Sequence, residues 1–256
     1  MNLKCNIDFD DYLNFGYLII PNFLPIDTVL TLKNTILELE KIEFEAGKNF
    51  NYSENIIRVW NLINKNKIFQ NLIINETLST IMEKIFDRDT THKKFYLSSF
   101  QSTNVQPGAK PQALHIDTPV PDPLPLWEIK ANSIWLLDDF TDKNGATEVI
   151  PGSHRFGRRP VNKNFEDHKG LKKLIASKGS LIIFSGYLWH RSGQNNSTSS
   201  RRALLGSFAS SAFREISSEE DIVRKSLLNP TFEINADCWE LVGGNHGIKT
   251  GIDCLN

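Results

Sequence analysis

Apolar positions in the first third of the chain fall at helical intervals, whereas those in the middle fall in short runs. Phe9, Tyr12, Leu13 and Phe15 predict a short amphipathic helix over residues 8–16, ended by Gly16. Tyr17-Leu18-Ile19-Ile20 reads as a strand stopped by Pro21. From Pro25 to about Ile42, Val29, Leu30, Leu32, Ile36, Leu37 and Leu39 build a broad apolar face behind Asp27 as N-cap. Residues 43–56 predict a mobile polar loop, with Asn49–Tyr52 as a flap, and a second helix is expected around Glu76–Ile85.

After Lys94 the pattern changes. Phe95–Gln101, Ala113–Asp117, Asn132–Asp138, Thr147–Ile150, Ser180–Ser185 and Arg202–Phe208 are strand-sized runs between turn residues. Many short strands with Gly, Pro and Asn turns predict an antiparallel sandwich or barrel. The expectation is one domain over residues 1–256, mostly β with flanking helices. A helical layer (about 1–94) packs on a jelly-roll-like core (about 95–213), and an extension (214–256) opens with a helix at Ser217.

Composition narrows the function classes. The 256 residues carry 29 Lys+Arg against 30 Asp+Glu, a formal net charge of -1, which gives no electrostatic reason to expect a nucleic-acid partner. The longest apolar runs are strand-sized, so no membrane partner is expected. The first residues lack a signal-peptide core, which predicts a cytoplasmic protein. Cys5, Cys238 and Cys254 are scattered and suggest neither a disulfide framework nor a zinc site.

Two of the six histidines stand in informative contexts. In Ala113-Leu114-His115-Ile116-Asp117, a strand would project His115 and Asp117 from one face as two cis ligands for a divalent metal. Alone, H-x-D is a common surface pair. The second context is Trp189-His190-Arg191-Ser192, followed by turn-rich residues up to Arg201. A hairpin centred between Asn195 and Asn196 would set His190 and Arg201 opposite one another. Two histidines and one carboxylate with open positions are the ligand set of non-heme Fe(II) oxygenases. A keto acid can fill two open positions. Arg201 offers a bidentate fork for its far carboxylate, and Ser192 offers a hydroxyl on the same face as His190.

With these residues the sequence resembles the phytanoyl-CoA dioxygenase family of Fe(II)/2-oxoglutarate oxygenases. The resemblance rests on Gln112–Asp117, on Asn144-Gly145-Ala146-Thr147-Glu148-Val149-Ile150-Pro151-Gly152-Ser153-His154-Arg155, and on His190 with Arg201. It extends to the opening Phe15–Leu24 and covers roughly residues 8–213. The resemblance implies a double-stranded β-helix in which His115, Asp117 and His190 hold Fe(II). It implies that Arg201 with Ser192 binds 2-oxoglutarate, that Gln112 and Thr147 contact this co-substrate, and that Trp135 lies near it. It also implies use of O2, release of succinate and CO2, and oxidation of an unactivated C–H bond in a small or medium-sized metabolite. Halogenating relatives lack the metal carboxylate, so Asp117 implies hydroxylation or another oxygenase outcome.

Other features keep two readings. Arg155, Arg158 and Arg159 form either a solvated loop or an anion site. The Pro-rich segment Pro119–Trp127 is a candidate lid or substrate wall. Trp127, Tyr187 and Trp189 are either core or cavity lining. His92, His168 and His246 read as surface residues, and His154 as a histidine tied into a turn. Two other classes are a cupin-type metal-dependent isomerase or lyase, which would not need Arg201, and a non-catalytic small-molecule-binding jelly roll. A monomer or homodimer is expected.

Overall fold

The computed structural model describes residues 9–47, 50–87, 94–162, 164–213 and 235–242. Helix α1 (Asp10–Phe15) ends at Gly16, whose φ of 81° gives the left-handed cap that only glycine adopts without strain. Strand β1 (Tyr17–Ile20) follows, and then helix α2 (Ile26–Glu45), which buries Val29, Leu32 and Ile36. Pro25, not Asp27, is its N-cap; Asp27 sits in the first turn. Strands β2 (Phe50–Ser53) and β3 (Ile56–Arg58) come next. Asn66 and Asn75 cap α3 (Lys67–Ile73) and α4 (Glu76–Ile85) by accepting from the backbone N–H of Ile68 and Leu78. The β core runs through β4 (Phe95–Val105), β5 (Lys130–Leu136), β6 (Thr147–Val149), β7 (Lys172–Lys173), β8 (Leu181–Ser185), β9 (His190–Ser192) and β10 (Arg201–Ser210). A last helix, α5, spans Ala236–Leu241.

Two antiparallel sheets face each other. The larger has the order β1-β8-β5-β10-β4-β3-β2 and the smaller β7-β6-β9. Period-2 alternation splits each central strand between two cores. On the outer face of the large sheet, Ala131, Trp135, Leu204 and Phe208 pack with Leu32, Ile36, Phe69 and Met82 of the helices. On the inner face, Ile134, Leu136 and Ala203 pack with Val149, Ile182 and Leu188. This double sheet with its helical layer is the expected β-rich architecture. Near the outer core, Tyr12 donates to the Glu128 carboxylate at 3.1 Å and Ser185 Oγ donates to it at 2.8 Å, which ties α1 to β8. No helix among the described residues is long and apolar enough to cross a membrane.

Three further expectations need correction. The described residues of 43–56 are not a loop: α2 continues to Glu45, and β2 pairs with β3, which pairs in turn with β4, while Asn49 of the expected flap lies outside the described residues. The edge of β4 supplies hydrogen-bond partners that local polarity does not reveal. Ala113–Asp117 forms no regular strand, only a bridge between His115 and His190. His190 and Arg201 are not opposed in a hairpin, because β9 belongs to the small sheet and β10 to the large one. Asn195 anchors the crossing, donating to Val105 O and Ser199 O at 2.9 Å each. Turn residues mark a reversal but not the strand it leads to. The helix expected at Ser217 lies outside the described residues, as do His92, His246, Cys5 and Cys254.

Candidate metal and co-substrate site

A cavity of about 650 Å3 opens on the inner face of the large sheet. His115, Asp117 and His190 line it, with ligand atoms all within 4.8 Å of one another. Asp117 Oδ1 lies 3.6 Å from His115 Nε2, and Asp117 Oδ2 lies 3.4 Å from His190 Nε2. The main chain sets this geometry. His115 and His190 exchange both backbone hydrogen bonds at 3.0 Å, so their side chains leave from one face. Asp117 N donates to Gly186 O at 3.0 Å, which fixes the third position.

The outer nitrogens are spoken for as well. His115 Nδ1 is 2.9 Å from Ala113 O, and His190 Nδ1 is 2.9 Å from Leu188 O. A carbonyl can only accept, so each Nδ1 carries a proton, and Nε2, the nitrogen facing Asp117, is the one left to ligate a metal. This tautomer is the one a metal-ligating histidine needs. Asn132 Nδ2 donates to Asp117 Oδ2 at 3.0 Å and orients the carboxylate. Burial opposes ionisation of Asp117, but the adjacent His190 and His115 outweigh it and hold its pKa well below the ordinary value. Burial likewise opposes the His115 imidazolium, and Asp117 reverses the net direction upward. Three such groups drawn this close, with the right lone pairs converging, fit a divalent cation.

Arg201 lines the same cavity and is only 2% exposed. Its Nη2 donates to Gly145 O at 2.7 Å and to Ser192 Oγ at 3.3 Å, while its Nε is buried with no hydrogen-bond partner. The guanidinium lies 4.2 Å from the Phe140 ring centroid. Burial pulls its pKa down to about 9, so it remains a cation at neutral pH. Gly145 has φ 79°, and a Cβ there would come within 3.0 Å of Gly193 O, so the carbonyl that receives Arg201 depends on glycine.

Ser192 is paired with Thr147 across β6 and β9, and Gln112 Oε1 accepts from Ser192 N at 2.9 Å. Gln112, Thr147 and Ser192 all line the cavity. Trp135 does not. It is fully buried on the outer face of β5, edge-on to Phe23 with ring centroids 5.4 Å apart, because Asn132 and Ile134 take the inward positions.

Several expected wall residues also lie elsewhere. Trp189 is buried under Arg158, whose guanidinium is 4.7 Å from its ring, and Tyr187 OH donates to Trp127 O at 3.0 Å. Neither these aromatics nor the Pro119–Trp127 segment lines the cavity. The arginine knot is largely satisfied internally: Arg158 forks onto Asp167 at 2.8 and 2.9 Å, and Arg159 reaches Asp122 and Thr118 O. That fork holds Asp167 down at about 2. His154 is tied through Nε2 to Leu13 O at 3.3 Å.

Arg58, Trp60, Lys130 and Asn132 line the cavity and escaped the sequence reading. Polar residues at alternate positions of an otherwise apolar strand were a usable signal for Lys130 and Asn132. No local pattern marks Arg58, which arrives through the β3–β4 pairing.

Residues 12–203 match the family model described as Phytanoyl-CoA dioxygenase (PhyH). The chain is 30% identical over 156 residues to Dioxygenase af480 of Aspergillus fumigatus, a match covering 60% of this chain and 48% of that protein. This chain thus aligns with about half the length of that relative. Dioxygenase andF of Emericella variicolor is 25% identical over 265 residues, covering 94% of this chain and 90% of its own. The solved structure of the non-heme alpha ketoglutarate dependent carbocyclase SnoK from nogalamycin biosynthesis superposes with a TM-score of 0.65 at 19% identity. That superposition covers 81% of this chain and 84% of SnoK, and it speaks to the fold, a double-stranded β-helix. With its family match spanning both histidine segments and Arg201, the chain belongs to the phytanoyl-CoA dioxygenase (PhyH) family of oxygenase enzymes.

Proposed function

We propose that the protein is an Fe(II)- and 2-oxoglutarate-dependent hydroxylase acting on an unactivated C–H bond of a small or medium-sized metabolite. The observation that supports this most is a buried, permanent cation beside a convergent His-Asp-His cluster in one cavity. His115, Asp117 and His190 hold the iron, and Arg201 with Ser192 receives the far carboxylate of 2-oxoglutarate. Bound together, iron and 2-oxoglutarate supply oxygen activation coupled to decarboxylation, yielding succinate and CO2.

The chain's own residues do the positioning. Each Nδ1–H donates to a backbone carbonyl, which fixes the ring planes of His115 and His190 and leaves Nε2 facing the cavity. Asn132 keeps Asp117 aimed inward. Gln112 and Thr147 brace Ser192 from either side and stand as further co-substrate contacts. Phe184, edge-on to the His190 ring at 4.8 Å, keeps water from one side of the ligand cluster. Because Asp117 occupies the third ligand position, hydroxylation is the outcome proposed. Trp135 has no part in this site.

The test is succinate formation from 2-oxoglutarate with Fe(II) and O2, alongside metal content. His115→Ala, Asp117→Ala and His190→Ala each abolish turnover and metal retention. Turnover that survives all three substitutions overturns the reading.

A further inference from the structure

Granting the oxygenase reading above, we propose that Arg58 is a specificity residue that receives a carboxylate of the substrate to be oxidised, making that substrate an apolar organic acid. Arg58 reaches the cavity from the sheet edge. Ile56 pairs with Val105 of β4, and Val105 pairs with Arg201 of β10, so the three lie in one row across the sheet. Arg58 is two residues beyond Ile56 on the same face, and both line the cavity. Two strand spacings and one pleat repeat separate its backbone from that of Arg201, about 10 Å across and about 7 Å along. The two guanidinium groups thus serve different parts of the cavity.

Charge makes the same point. Among the described lining residues the cations are Arg58, Lys130 and Arg201, and the sole carboxylate is Asp117. In the loaded site the charges of a ferrous ion, Asp117, 2-oxoglutarate and Arg201 cancel. Arg58 then stands apart from that balanced set as a guanidinium on another part of the wall. The surroundings of Arg58 favour one ionised group attached to an apolar body. Its Nη1 donates to Gln101 Oε1 at 3.3 Å, and its guanidinium lies 5.8 Å from the centroid of the Trp60 ring. Trp60 is 40% exposed and, with Ile56, offers an apolar wall for a ring or chain. One guanidinium with a flanking amide suits a carboxylate better than a phosphate dianion, which calls for more donors. At about 650 Å3 the cavity has room for such a molecule beside the co-substrate.

The experiment uses the full chain loaded with Mn(II) and saturating 2-oxoglutarate, so that Arg201 is occupied. Ligand-observed NMR titrations compare 2-naphthoate, 2-naphthamide and 2-naphthyl phosphate. The acid is expected to bind about tenfold more tightly than the amide. Arg58→Gln erases that preference, Arg58→Lys restores part of it, and 2-oxoglutarate affinity stays unchanged in both. Equal binding of acid and amide, binding of neither, or a preference that survives Arg58→Gln overturns the proposal. Tighter binding of the phosphate overturns the carboxylate assignment, and loss of 2-oxoglutarate affinity in Arg58→Gln moves Arg58 to the co-substrate. Failure of the oxygenase reading looks different: 2-oxoglutarate then binds no better with metal than without it.

Discussion

Arg201 and Arg202 are consecutive residues of one strand with opposite fates. Arg202 turns to the helical face, where Nε and Nη2 meet the Glu40 carboxylate at 2.9–3.2 Å and its backbone N–H donates to Asp138 at 2.9 Å. Arg201 turns inward, and among the described residues it meets a carbonyl, a hydroxyl and an aromatic ring but no carboxylate. Burying a cation without a counter-ion is costly. The pairing on one face and its absence on the other separate a residue that holds the fold from the one proposed to receive the co-substrate carboxylate.

The sharpest probe of this division is Trp135, on the helical side. Trp135→Ala is expected to cost about 3–5 kcal/mol of stability by opening a cavity, with 2-oxoglutarate affinity unchanged in the folded protein. A raised co-substrate requirement without loss of stability would return Trp135 to the site. Arg201→Met should weaken 2-oxoglutarate binding roughly 10- to 100-fold, read by calorimetry, because a charge-assisted clasp is lost. Metal content should hold and the melting temperature should not fall, since an unpaired buried charge has gone. Arg202→Ala should do the reverse, lowering stability by about 1–3 kcal/mol by denaturant unfolding while leaving co-substrate affinity alone.

The smallest effect concerns Glu128, beneath α1. Burial pushes its carboxyl up to about 7 from an ordinary 4.5. The folded chain therefore holds that proton more tightly than the unfolded one, and stability falls as pH rises from about 4.5 to about 7. Glu128→Gln should flatten that slope; the full shift corresponds to about 3 kcal/mol, which solvent screening at a half-buried group reduces to roughly 1, as followed by melting temperature across this pH range.

Periodicity carried much of the architecture. α4 falls at Glu76–Ile85 and β1 at Tyr17–Ile20, as the apolar spacing predicts, because both bury one face in the core between the helices and the large sheet. Non-local pairing was not legible. β2 and β3 lie in a stretch that reads as a loop and are held by β3 pairing onto the edge of β4, and the link from Ser192 to Arg201 reads as a local turn although it crosses between sheets. The ligand cluster was visible because His115, Asp117, His190 and Arg201 have distinctive chemistry. Its supports, Asn132 and Gly145, act through a side-chain amide and a carbonyl that spacing does not reveal. Trp135 misled because an aromatic in an inner strand reads the same from either face.

The reciprocal backbone bonds between His115 and His190 have one more implication. The separation of the two imidazoles is owned by peptide groups, which every sequence possesses, and not by neighbouring side chains. Descendants of this chain are therefore free to exchange the surrounding wall for new clientele without retuning the grip beneath it.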